Sequence, residues 1–99
     1  MTHEFVFRAT VWLYQGAGAW HFVTLPKPLS ARIKSITAGR NKAFGTVRVE
    51  AAIGETRWRT SIFPDNKLAA YVLPVKTAVR KREHLQAGMI AEVLLVIET

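Results

Sequence analysis

The sequence predicts a small, mostly-β domain: a closed or nearly closed six-stranded barrel carrying two short helices, in one unit spanning residues 1–99. Apolar residues alternate with period two, or run continuously, in six short segments, whereas helical spacing occurs in only two. A chain of 99 residues with 49% hydrophobic content has apolar material for one core and no second. So much hydrophobic strand in so short a chain favours closure, which removes the exposed edges that template aggregation.

Phe5 to Tyr14 opens the pattern, with Phe5, Phe7, Ala9, Val11 and Leu13 on one face and Arg8, Thr10, Trp12 and Tyr14 on the other. His3 lies before this strand, in an expected frayed terminus. Gln15 to Ala19 is small and glycine-rich and reads as a loop; Trp20 to Leu25 is a second strand ended by Pro26. Pro28 suits the first turn of a helix, Leu29, Ile33 and Ile36 form its apolar stripe, and Gly39 stops it, with Arg32 and Lys34 outward.

The best-determined stretch follows. Phe44 to Ile53 and Thr56 to Phe63 flank Gly54-Glu55, and glycine at the first loop position suits a type II′ hairpin. That turn sets Ile53 opposite Thr56, Ala51 opposite Trp58, Val49 opposite Thr60 and Val47 opposite Ile62. The other face pairs Ala52 with Arg57, Glu50 with Arg59 and Arg48 with Ser61. The register buries Val47, Val49, Ala51, Trp58 and Ile62, exposes Arg48, Arg57 and Arg59, and offers a Glu50–Arg59 charge pair. Pro64 to Lys67 reads as a turn, Leu68 to Leu73 as a short strand before Pro74, and Val75 to Leu85 as a second helix with Val75, Val79 and either Arg82 or Leu85 inward. After the turn Gln86-Ala87-Gly88, Met89 to Ile97 is apolar on nearly both faces, as befits a strand that is central, closes a barrel or meets another subunit.

The formal net charge is +7, and it is unevenly spread. Residues 5 to 49 carry seven Lys or Arg and no acid, whereas residues 50 to 99 carry seven basic and six acidic groups. The dispersed charge reads first as solubility, and second as a surface for a polyanion. With no cysteine, disulfides, thiolate metal sites and thiol chemistry are excluded. The opening residues Met1 to Phe5 lack a signal-peptide layout and no apolar run reaches a membrane span, so the expectation is a cytoplasmic protein with no membrane partner.

Trp20-His21-Phe22-Val23-Thr24-Leu25-Pro26 resembles the Trp-His-x-Val-x-Leu-Pro stretch of a bacterial and archaeal family of unknown function, versions of which occur in YdeI/OmpD-associated proteins. Gly45-x-Val47-x-Val49, Trp58-x-Thr60-Ser61-Ile62-Phe63-Pro64 and Leu73-Pro74-Val75-Lys76-x-x-Val79-Arg80 fit the same family in order, so the resemblance covers essentially the whole chain. It implies a six-stranded barrel with short helical crossovers, and brings no reaction and no catalytic residues. One departure is that the Gly-Asp expected before the last strand is Gly88-Met89 here. A looser likeness, over less than a third of the chain, joins Leu73-Pro74, Val79-Arg80 and Gly88 to the swapped-hairpin DNA-binding barrels of bacterial transition-state regulators.

The chemistry-bearing residues are sparse. No paired carboxylates, His-x-x-x-His or glycine-rich phosphate loop occurs, so neither an enzyme nor a metal or cofactor site is expected. His21 alternates with Trp20 and Phe22, and so can face a barrel mouth and take a ligand; a hydrogen-bonded structural histidine is the simpler alternative. Lys76 and Arg80 sit at i, i+4 beside Lys81 and Arg82, a like-charge spacing that costs an isolated helix a few tenths of a kcal/mol. His21, Lys76, Arg80 and Arg82 are therefore the candidate binding residues, against the alternative of a solvated helix face. Of the tryptophans, Trp58 belongs to the core, while Trp12 and Trp20 remain open as stacking platforms. The leading reading is a non-enzymatic binding or accessory module, monomeric or weakly homodimeric. Its runner-up is a nucleic-acid-binding barrel with a basic surface, and a small-molecule-binding barrel or enzyme comes third.

Overall fold

A computed structural model describes residues 1–16, 18–40 and 45–99. Six antiparallel strands close on themselves in the order β1-β2-β5-β4-β3-β6: β1 (Thr2–Leu13), β2 (His21–Thr24), β3 (Val47–Ile53), β4 (Thr56–Asp65), β5 (Ala70–Pro74) and β6 (Ile90–Glu98). Helix α1 (Lys27–Ile36) leads from β2 toward β3, and α2 (Thr77–Glu83) links β5 to β6. The expected barrel with two helices is what forms.

Strand β1 makes the closure possible. Thr2 to Thr10 pair with β6, and Val11 to Leu13 pair with β2, so one long strand serves both halves of the wall. The terminus expected to fray is held, because β6 runs on to Glu98 and pairs with Thr2, and the His3 imidazole lies 3.1 Å from the Thr99 hydroxyl. The β3–β4 register is the one the Gly54 turn dictates, from Ile53 opposite Thr56 to Val47 opposite Ile62. Gly54 takes φ +58°, as a type II′ turn demands. Val47, Val49, Ala51, Trp58 and Ile62 are all buried, and Arg48, Arg57 and Arg59 are exposed.

Differences from the expectation have local causes. Glu50 does stand opposite Arg59, but its carboxylate pairs instead with Arg57 at 3.1 Å. Right-handed strand twist brings one diagonal neighbour close enough to compete with the directly opposite one. The turn expected at Pro64–Lys67 falls two residues later, over residues 66–69. Asp65 closes it by accepting the backbone N–H groups of Lys67 (3.0 Å) and Leu68 (3.2 Å), and β4 therefore runs through Pro64. The second helix is shorter than expected. Val75 stays extended because its N–H donates to the His21 carbonyl at 2.9 Å, which leaves Lys76 at the N-cap. At the other end His84 adopts the left-handed conformation (φ 55°, ψ 43°), and the Leu85 N–H returns to the Arg80 carbonyl at 2.9 Å. Leu13, expected inside, lies exposed at the end of β1. Phe44, the expected start of the third strand, lies outside the described residues.

Strand β6 sits between β1 and β3 and seals the barrel, its Ala91, Val93, Leu95 and Ile97 pointing inward. Helix α1 lays its stripe on the barrel through buried Ile33, and Ser30 Oγ accepts the Tyr71 N–H at 3.0 Å. No helix among the described residues is long and apolar enough to cross a membrane.

Candidate functional site

The start of β2 and the β5–α2 junction are brought side by side by strand pairing. Phe22 stands opposite Pro74, and the Val75 N–H continues the ladder to His21. Between them lies a cleft of about 240 Å³ lined by Ala19, Trp20, His21, Pro74, Val75, Lys76, Thr77 and Arg80.

Three of the four candidate residues therefore meet. His21 is half-buried, and its Nδ1 lies 3.1 Å from the Ala19 carbonyl, which orients the ring without consuming its second nitrogen. Arg80 donates from Nε to the Val75 carbonyl at 3.2 Å and from Nη2 to the Thr77 hydroxyl at 2.9 Å. These bonds fold the guanidinium back over the helix start and leave further N–H donors on the same group. Lys76 is exposed at the N-cap, and no ion pair engages it among the described residues. Arg82 does not line the cleft: two residues past Arg80 on an α-helix is roughly 200° of rotation, which sends it to the far side. Thr77 carries no sequence signal of its own; only the return of Arg80 over the helix start identifies it.

The cleft opens beside a set of packed rings. Trp12, Tyr14, Trp20 and Phe22 alternate with the inward residues of β1 and of the β2 segment. Phe22 stacks with Trp20 (centroids 6.2 Å apart, planes 11° apart), tilts against Trp12 at 5.1 Å and meets the edge of Tyr14 at 6.3 Å. Trp12 is further fixed by its Nε1–H, which donates to the Thr24 hydroxyl at 2.9 Å. Trp20 nevertheless remains 57% exposed and Tyr14 49%.

No acidic side chain lines the cleft. The acid-free span of residues 5–49 and a second one from 66 to 82 contribute most of β1, all of β2 and β5, and α2 up to Arg82. The acids gather elsewhere, on the first residues of β1, on β3 and β6, at the two hairpin turns and at Glu83. A larger cleft of about 550 Å³, beside α1 and the β4–β5 turn, carries Lys27 and Lys34 but also Asp65, and so has no uniform sign. Among the described residues no group of three or more His, Asp or Glu is placed to hold a metal ion. The Tyr71 phenol is pushed above its ordinary pKa by burial, and a hydrogen bond with the Thr37 side chain acts in the opposite direction.

Fold and cleft together define a small closed antiparallel barrel with a basic recess edged by Trp20. The chain belongs to the family described as a domain of unknown function (DUF1905), matched over residues 7–95, and the barrel of the YdeI/OmpD-associated proteins is of the same type. No curated protein matches the chain.

Proposed function

We propose that this domain is a non-enzymatic binding module that takes an anionic ligand in the cleft between the start of β2 and the start of α2. The observation that carries the reading is the meeting of Lys76, Arg80 and His21 in one recess free of carboxylates, although they come from two distant parts of the chain. Two cations near one anion each contribute charge-assisted bonds that are roughly twice as strong as neutral ones. A reaction is not part of the proposal. His21 is oriented by a backbone carbonyl, no carboxylate lines the cleft to partner it in acid–base work, and the Thr77 hydroxyl there accepts a hydrogen bond from Arg80.

The test is calorimetric titration with inorganic tripolyphosphate, comparing Lys76→Glu with Arg59→Glu. Both substitutions change net charge equally, and Arg59 is an exposed residue of β4 that does not line the cleft. Lys76→Glu should weaken binding at least about fivefold more than Arg59→Glu, about 1 kcal/mol. Equal weakening would mean that only bulk charge attracts the anion, and the cleft would lose its assignment.

A further inference from the structure

We infer that the ligand is a single-stranded nucleic acid, its phosphates held at Lys76 and Arg80 and its bases stacked on the ring cluster of Trp20, Phe22, Trp12 and Tyr14. The inference rests on the anion-binding reading above and names the chemistry of the anion.

Three observations carry it. Trp20 lines the cleft with Lys76 and Arg80 and also stacks on Phe22, so one ring joins the cationic recess to the aromatic surface. That adjacency of flat apolar faces and positive charge is what a base-bearing phosphodiester requires, since every base has a π-face and every linkage a negative charge. The surface is also preorganised. Phe22 is held between Trp12, Tyr14 and Trp20, and Trp12 is pinned through Thr24, so little side-chain entropy remains to be lost on binding. Finally, residues 5–24, the stretch of sequence that holds all four rings, carry no acid that would repel a phosphate chain.

A sugar ligand fits less well, because its hydroxyls call for carboxylate or amide partners and the cleft is lined by neither. An acidic peptide shares the charge but has no stack of π-faces to match the rings.

Fluorescence anisotropy with a labelled oligothymidylate of about ten nucleotides, within the usual footprint of small barrels, tests the inference. Unlabelled competitors are an abasic oligonucleotide of the same length and polyglutamate. Trp20→Ala removes an exposed ring outside the core, and far-UV circular dichroism checks its fold. The expected result is that Trp20→Ala weakens the oligothymidylate at least about fivefold more than it weakens the abasic chain. Lys76→Glu should weaken both.

Absence of oligothymidylate binding would overturn the inference. So would equal affinity for the abasic chain with no effect of Trp20→Ala, an outcome that leaves the anion reading standing. Polyglutamate competing as well as the oligonucleotide would also overturn it and transfer the cleft to acidic peptides. If Lys76→Glu changes neither ligand more than Arg59→Glu does, the underlying anion reading itself fails.

Discussion

The Thr56 hydroxyl donates to the Glu83 carboxylate at 2.6 Å, which ties the end of α2 to the tip of the β3–β4 hairpin. Thr56 is only 7% exposed, so its hydroxyl has little recourse to water. The same carboxylate lies over Gly54, where an added Cβ would press on it. A glycine at the turn thus serves twice, supplying the left-handed φ and making room for the helix to be latched.

Removing that latch should cost stability. Glu83→Ala strands the Thr56 hydroxyl, and loss of a partly buried, charge-assisted bond costs about 1–2 kcal/mol. Glu83→Gln keeps an acceptor at the same place and should lose less. Urea unfolding of the two variants measures the difference, and equal losses would show that the helix docks by packing alone.

The turn before β6 makes the opposite kind of prediction. The Gln86 N–H donates to Met89 Sδ at 3.3 Å, a weak sulfur acceptor in the position before the last strand. An aspartate carboxylate oxygen stands the same number of bonds from Cα as that sulfur. Met89→Asp should therefore cap Gln86 more strongly, adding about 0.5–1 kcal/mol. For a domain of this size that is a Tm rise of about 2–8 °C. An unchanged or lower Tm would show that the departure from Gly-Asp has another cause.

Tyr71 ties stability to alkaline pH. Burial raises its folded pKa above the ordinary 10.0, so above that value the unfolded chain sheds the phenolic proton more readily than the fold does. The unfolded state then binds fewer protons, and stability falls as pH rises. The contribution is complete below the unfolded pKa and is lost as pH climbs through the folded one. Tyr71→Phe should flatten that part of the curve, so above about pH 10 wild type should lose stability that the variant keeps. Parallel curves would remove Tyr71 from the effect.

How much of this was legible depends on the distance over which each signal acts. Gly54 and the small–large match of Ala51 with Trp58 lie within one hairpin, and there pattern and structure agree residue by residue. The partner of Glu50 was not legible, because choosing Arg57 over Arg59 depends on strand twist, which a period-two pattern does not contain. The start of α2 was hidden for a similar reason: Val75 is claimed by the His21 carbonyl, a bond made only once β2 and β5 pair. The site shows the same division. His21, Lys76 and Arg80 stand out as residue types, but nothing local says that they share a recess, or that Arg82 turns away from it.

The most direct test of the anion-binding cleft is amide and indole chemical-shift mapping during titration with inorganic tripolyphosphate. The account predicts that the Trp20 indole and the backbone of His21, Lys76, Thr77 and Arg80 shift together along one binding curve. Shifts concentrated around Lys27 and Lys34 beside α1, or spread evenly over every exposed basic residue, would contradict it.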